Sequence, residues 1–146
     1  MSHLLWSNDD YSVHIPAIDN EHKLLVCTIN EFGDTLQLDG SLHAQIISEK
    51  LAYLSQFIRK HFESEERFLL FNNYPEYTEH LTEHTLLLER LSSFESRFKA
   101  ENKAFNERML TFLIDWLIRH VILHDRKYAT YYQNKELIDH SNTNTY

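Results

Sequence analysis

A chain of 146 residues with a formal net charge of −8 is long enough for one domain with a sizeable core and too short for two ordinary domains. It contains only two glycines and two prolines, too few for the many tight turns of an all-β protein, so the composition favours an all-α fold. The negative charge and the lack of a Lys/Arg cluster argue against nucleic acid and anionic membranes as partners.

The start of the chain, MSHLLWSNDDYSV, has neither the basic residues nor the apolar run of a signal peptide. No stretch reaches the roughly 18 apolar residues that a membrane helix needs. Cys27 is the one cysteine, which excludes an intrachain disulfide and favours a reducing compartment. We therefore expect a cytoplasmic protein in which Cys27 is a small buried side chain rather than a reactive thiol.

Three short breaks divide the chain, at residues 39–40, 73–75 and around 101–102. We predict an extended N-terminal arm over residues 1–18, a bundle of four helices over residues 19–133 and a frayed polar C-terminal tail over residues 134–146. Short connections place neighbouring helices antiparallel. The predicted fold is therefore an up-down-up-down antiparallel four-helix bundle.

The four helices are predicted at about residues 19–38, 42–72, 76–100 and 105–133. Each carries residues at spacings of three and four that mark one buried face. Five histidines and one glutamate occupy core positions on this period: His22, His61, Glu65, His80, His84 and His120. A buried polar group without hydrogen-bond partners costs on the order of 1–3 kcal/mol, so six of them in one core need a common explanation.

These polar positions come level with one another when the helices fold back at the breaks. His22 lies about 18 residues before the first break and His61 about 21 after it, while His84 and His120 each lie about 18 from the third. At about 1.5 Å of rise per residue, the mismatches amount to one turn at most. Imidazole nitrogens with carboxylates suit iron, zinc or manganese, and the number of donors predicts more than one ion.

Four stretches of the chain resemble a bacterial single-domain hemerythrin: Trp6 with IDNEH at 18–22, HFESEE at 61–66, YPEYTEHLTEH at 74–84, and WLIRHVILHD at 116–125. The resemblance covers nearly the whole chain. It implies two iron ions (Fe2+/Fe3+) with an oxo or hydroxo bridge that bind dioxygen reversibly. Carried over by position, it implies His80, His84 and His120 on one iron, His22 and His61 on the other, and Glu65 and Asp125 bridging them.

The resemblance also implies a number of ligands for each iron, and this number predicts where dioxygen binds. The iron with three histidines reaches six donors, counting two carboxylate oxygens and the bridging oxygen, whereas the other iron reaches five and keeps one open position. The resemblance implies that dioxygen binds there and takes two electrons from the ferrous pair. Helical spacing places five apolar side chains beside the ligands, either as plain core packing or as a pocket that limits water and proton entry: Leu25, Phe57, Ile58, Trp116 and Leu117.

Asp125 is the assignment that an ideal helix does not explain. It follows His120 by five residues and would point about 140° away at 3.6 residues per turn, so helical geometry alone favours His124. The family pattern favours Asp125, and a π-helical turn would bring its carboxylate inward. We assign Asp125 as the ligand, His124 to the periphery of the site or the surface, and Glu66 to the solvated surface.

Two other metal sites compete with this interpretation. HLTEH at residues 80–84 fits an inverted zinc-protease box with Glu83 as general base, but a zinc hydrolase leaves the other polar core positions unexplained. A ferritin-like di-iron oxidase needs Glu-x-x-His pairs. No histidine in this chain has a glutamate three residues before it.

Within the hemerythrin interpretation, storage or delivery of dioxygen competes with oxygen or nitric oxide sensing and with iron or redox-stress handling. The chain ends soon after the fourth predicted helix and carries no signalling domain, which favours a stand-alone oxygen-binding protein over a built-in sensor. We expect a binding protein and not an enzyme. An oxidase or peroxidase side activity and a separate protein partner that reads the site are both compatible with the sequence.

Overall fold

The computed structural model describes residues 4–38 and 43–143, with side chains up to residue 135. Its elements are helices α1 (Asn8–Tyr11), α2 (Pro16–Leu36), α3 (His43–Phe71), α4 (Tyr77–Arg97) and α5 (Lys103–Arg119), a π-helical segment (His120–Asp125) and helix α6 (Arg126–Thr143). These described ranges contain no strand, which confirms the all-α prediction. No helix in them combines the length and apolar content that crossing a bilayer requires.

Helices α2 to α5 pack around one core. Helix α3 lies against both α2 and α4, and α2 also contacts α5. Large aromatic rings join α4 to α5: the ring centroid of Phe94 lies 5.1 Å from that of Phe112 and 5.8 Å from that of Phe105. Because the connections are short, consecutive helices run antiparallel. The predicted up-down-up-down four-helix bundle is confirmed.

Local signals in the sequence determine where the helices begin and end. Pro16 lies in the first turn of α2, where a missing backbone N–H is tolerated, so this helix begins before the predicted residue 19. Asn73, with a φ of 55°, takes the left-handed conformation after the end of α3. The side chain of Asn102 caps α5 by accepting a hydrogen bond from the Phe105 backbone N–H at 3.1 Å. The predicted break at residues 39–40 lies outside the described residues.

Both ends of the chain contain more helix than the sequence predicts. Helix α1 and the start of α2 lie within the arm predicted over residues 1–18. Helix α6 continues to Thr143, into the tail predicted over residues 134–146. The physical reason is that residues 126–143 contain no glycine or proline that would stop a helix. Residues 1–3 and 144–146 lie outside the described part of the chain.

Cys27 is exposed on α2, so the prediction of a buried thiol is wrong. The buried face of this helix contains Leu25, Val26 and Ile29. Cys27 is displaced from Val26 by about 100° around the helix axis, which places it on the outer face. Cysteine is frequently buried as a residue type, but this position lies outside the apolar stripe of the helix.

The apolar core consists of two clusters that follow one another along the bundle. On α2, Ile18 belongs to the smaller cluster and Leu25 to the larger, and His22 lies between them. The same order recurs on α3 around Glu65. A layer of polar side chains therefore crosses the bundle with apolar packing on both sides, which keeps this layer away from water.

Truncation of a core leucine tests this packing. Leu54 is fully buried in the larger cluster, so Leu54→Ala should lower the free energy of unfolding by about 2–5 kcal/mol through lost burial and a residual cavity. Leu86 is 52% exposed, and Leu86→Ala should change the free energy of unfolding by no more than about 0.5 kcal/mol. Urea unfolding followed by circular dichroism measures both; equal losses would contradict the core described here.

Candidate metal centre

The seven side chains predicted as metal ligands converge in the polar layer, and each is at most 5% exposed. They come from α2, α3, α4 and the π-helical segment. Their donor atoms form two groups, and all atoms within a group lie within 4.8 Å of one another. One group contains Glu65, His80, His84, His120 and Asp125, and the other contains His22, His61, Glu65 and Asp125.

Glu65 belongs to both groups because its two oxygens face in different directions. Its Oε1 lies 2.6 Å from Nε2 of His80 and 3.0 Å from Nε2 of His84. Its Oε2 lies 3.4 Å from Nε2 of His61 and 3.7 Å from Nε2 of His22. One carboxylate therefore offers one oxygen to each group, as a bridge between two ions requires.

Asp125 repeats this arrangement. Its Oδ1 lies 3.0 Å from Nε2 of His120 and 3.2 Å from Nε2 of His80, and its Oδ2 lies 3.0 Å from Nε2 of His22. Both oxygens are buried, and neither has a hydrogen-bond partner with acceptable geometry among the described residues. Buried carboxylate oxygens without hydrogen bonds are costly unless a cation compensates them.

The spacing of the nitrogen donors also fits bound cations. Nε2 of His22 lies 3.1 Å from Nε2 of His61, and Nε2 of His84 lies 3.2 Å from Nε2 of His120. Nitrogens bound at right angles to one ion, each at the 2.0–2.1 Å typical of zinc–imidazole bonds, are separated by about 3 Å. The donor set and its spacing therefore fit two transition-metal ions that share two carboxylates.

The π-helical segment explains how Asp125 joins the site. In a π-helix the backbone hydrogen bonds connect residues five apart, so His120 and Asp125 come to lie on one face. The predicted π-helical turn is confirmed. His124 stays outside both groups, where its Nε2 lies 3.4 Å from a carboxylate oxygen of Glu83.

Two further carboxylates orient the histidines from behind. Since an ionised carboxylate can only accept, Nδ1 of His61 donates to Oε1 of Glu21 at 3.0 Å, and Nδ1 of His84 donates to Oε2 of Glu66 at 2.8 Å. Ser64 donates to the other oxygen of Glu21 at 3.0 Å. With the proton on Nδ1, the Nε2 lone pair of each imidazole is free for a metal ion.

Sequence reasoning missed both of these carboxylates, and the prediction that Glu66 is merely solvated is wrong. Glu21 precedes a predicted ligand and Glu66 follows another, and adjacent residues on a helix normally face different directions. The available signal was the depth of these two residues in the bundle. A residue at the same depth as a ligand on the neighbouring helix can reach that ligand from the side. Phe62 was missed as well. Its ring stacks on that of His84, with 3.8 Å between the ring centroids and an angle of 5° between the planes.

The charges of the layer favour a cation. Burial alone would lower the pKa of the imidazoles, but the close carboxylates of Asp125 and Glu65 outweigh it and raise the pKa of His22 to about 9, of His80 to about 10 and of His120 to about 9. Burial and the charge of Glu65 would raise the pKa of Asp125, yet the imidazoles, His120 foremost, hold it far below its usual range. The two carboxylates thus stabilise positive charge at the centre of the layer.

The five apolar residues predicted beside the ligands all belong to the larger core cluster or pack against it. The ring of Trp116 stacks on that of His120, with 5.6 Å between centroids. Ile58 and Trp116 also line a small apolar cavity between α3, α4 and α5. Leu25 and Leu117 are buried, and Phe57 is half-buried at the edge of the cluster.

Residues 13–132 match the family described as Hemerythrin HHE cation binding domain. The bacteriohemerythrin of Pseudomonas aeruginosa (strain UCBPP-PA14) is 33% identical over 129 residues, which cover 88% of this chain and 81% of that protein. The bacteriohemerythrin of Methylococcus capsulatus (strain ATCC 33009 / NCIMB 11132 / Bath) is 24% identical over 129 residues, which cover 88% and 96%. A crystal structure of wild-type hemerythrin shares the fold, with a TM-score of 0.76 and 21% identity over 88% of this chain and 97% of that one.

The matched region includes every donor of the two buried groups, from His22 to Asp125. The family description names cation binding, and the layer of imidazoles and shared carboxylates is chemically suited to it. Similarity in sequence and in fold extends over most of the chain. The chain therefore belongs to the hemerythrin family.

Proposed function

We propose that this protein binds dioxygen reversibly at a non-haem pair of iron ions with an oxo or hydroxo bridge. The described geometry supports two unequal ions that share the same two carboxylates. The proposed ligands are His80, His84 and His120 for the first ion, His22 and His61 for the second, and Glu65 and Asp125 for both. Two ferrous ions, when bound, supply the two electrons that reversible oxygen binding requires.

The inequality of the two groups is the observation that carries this proposal. Both groups contain Glu65 and Asp125, but one adds three imidazoles and the other only two. With a bridging oxygen, an ion held by His22 and His61 would have one donor fewer and would keep a position for a small ligand. A structural metal site has no need for such a position.

The protein's own residues keep this position dry. The donor side chains are buried between the two apolar clusters, and the proposed oxygen pocket consists of Leu25, Phe57, Ile58, Trp116 and Leu117. Exclusion of water and protons by these side chains would slow irreversible oxidation of bound ferrous ions. Binding is therefore the proposed activity, and catalysis is not required to explain the site.

The arrangement around Glu83 argues against a zinc hydrolase. Both histidines of HLTEH direct Nε2 toward Glu65, at 2.6 Å for His80 and 3.0 Å for His84. The Glu83 carboxylate instead lies 3.4 Å from Nε2 of His124 and belongs to neither donor group. A general base that activates a metal-bound water must reach the metal's open position.

Spectroscopy of the purified protein tests the proposed function. Metal analysis should find two irons per chain, and a near-ultraviolet to visible charge-transfer band should appear when the anaerobic ferrous protein meets oxygen and disappear when oxygen is removed. Rapid irreversible oxidation in air, together with stable nitric oxide binding, would contradict an oxygen carrier and favour sensing or redox-stress handling. A preparation that takes up zinc and refuses iron would also contradict the proposal.

The two groups can be separated by mutation. His61→Ala removes one of only two imidazoles on the ion with the open position, so iron content should fall from two to one per chain and the oxygen-dependent band should be lost. Glu83→Ala removes a carboxylate outside both groups and should keep both irons and the band. Loss of metal in Glu83→Ala with no change in His61→Ala would show that the ligands are assigned wrongly.

The carboxylate behind His84 should also matter for affinity. Glu66→Ala removes the acceptor of the His84 Nδ1 proton and should weaken iron binding by about 10- to 100-fold, which is typical when such a partner is lost. Glu63 is exposed on the same helix, so Glu63→Ala serves as the matched control. Competition with a chelator of known iron affinity measures both. An unchanged affinity in Glu66→Ala would remove this residue from the site.

A further inference from the structure

A polar cavity of about 180 Å³ lies beside the metal centre, where α4 faces the π-helical segment and α6. Glu83 and His124 are among the residues that line it. The sequence singles out both as candidates for metal chemistry, yet they belong to neither donor group, and the proposed oxygen binding does not use them. The cavity thus contains polar side chains whose role is unassigned.

The cavity reaches one of the seven proposed ligands. His80 lines it although this residue is only 5% exposed, whereas Glu79 and Lys127 line it from the protein surface. On the side of the metal centre, Nε2 of His80 lies 2.6 Å from Oε1 of Glu65 and 3.2 Å from Oδ1 of Asp125. A polar path therefore leads from the surface to a buried imidazole that contacts both shared carboxylates.

The charge of the cavity suits a cation. Three carboxylates line it, those of Glu76, Glu79 and Glu83, against the single ammonium group of Lys127. The glutamates and His80 are spaced three and four apart, so they share one face of the helix. A cleft with an excess of one charge raises the local concentration of ions of the opposite charge, and carboxylate oxygens and imidazole nitrogens are suitable ligands for ferrous ions.

A purely structural role does not explain all three glutamates. Glu76 and Glu79 lie at the N-terminal end of α4, where acidic side chains stabilise a helix. Glu83 lies beyond the first turn of this helix and lines the same cavity. Among the described residues, the two groups of closely spaced donors include none of these three carboxylates. A cation in the cavity would therefore be held loosely, as a site of passage requires.

We propose that this cavity is the entry route for iron: its carboxylates attract hydrated Fe2+ from solution, and His80 is the first of the seven ligands to receive it. This inference rests on the proposed iron pair. His80 belongs to the group with three imidazoles and not to the group with two, at which oxygen would bind. Iron can therefore enter the centre without exposing the oxygen-binding side to water.

Stopped-flow mixing of the metal-free protein with Fe2+ under anaerobic conditions measures the rate of entry. The chain has two tryptophans, and both lie near proposed ligands. The ring of Trp116 lies 5.6 Å from that of His120, and the ring of Trp6 lies 6.4 Å from that of His22. Quenching of tryptophan fluorescence should therefore report the arrival of iron at the centre, independently of oxygen.

Charge changes at the cavity should alter this rate. The double variant Glu76→Gln, Glu79→Gln keeps the shape of both side chains but removes two negative charges, so uptake should slow on the order of 10-fold. Lys127→Glu reverses the one positive charge and should speed uptake, and high salt should abolish this gain because it screens the attraction. Glu89 is exposed on the same helix outside the cavity, so the matched control Glu89→Gln should keep the wild-type rate.

Iron content and the oxygen-dependent band are measured on the same samples after uptake is complete. Every variant should then contain two irons per chain, because all seven donors remain; Glu83→Ala should reach this content too, but more slowly than wild type. Equal rates in all variants, or a salt-insensitive rate in Lys127→Glu, would overturn the entry route and leave oxygen binding standing. Two irons that enter at the expected rates without a reversible oxygen band would contradict oxygen binding and leave the entry route standing.

Discussion

The interaction on which this structure depends is the sharing of two buried carboxylates by five imidazoles. Glu65 presents one oxygen to three histidines and the other oxygen to two. Asp125 presents one oxygen to His80 and His120 and the other to His22. None of these groups can turn to water, because the layer is buried between two apolar clusters. A polar layer at this depth is costly without a partner of opposite charge, and cations are the partner that its donors suit.

The rest of the bundle serves to hold this layer in register. Four long helices bring residues far apart in sequence to the same depth, and the π-helical turn corrects the one position at which regular helical spacing fails. Glu21 and Glu66 determine which nitrogen of two histidines is free to bind metal. The proposed oxygen binding would follow from the inequality of the two groups, since only an ion held by two imidazoles would have a position left for a ligand.

Much of the fold and of the donor set could be predicted from the sequence because the relevant signals are local or periodic. Helical period identified the buried faces, and counting from the breaks placed five histidines and Glu65 at one depth. Asp125 could not be predicted this way, because its position depends on a π-helical turn that the period of an α-helix excludes; the family pattern supplied it. Tertiary contacts between helices, such as that of Glu66 with His84, have no period in the sequence and were missed.

The most direct test of the central claim is a titration of metal-free protein with Fe2+ under anaerobic conditions, followed by calorimetry of binding and of thermal unfolding. If the buried carboxylates and imidazoles need cations, the protein should take up two equivalents per chain and its unfolding temperature should rise with each. Uptake of no iron, or uptake that leaves the unfolding temperature unchanged, would contradict the account.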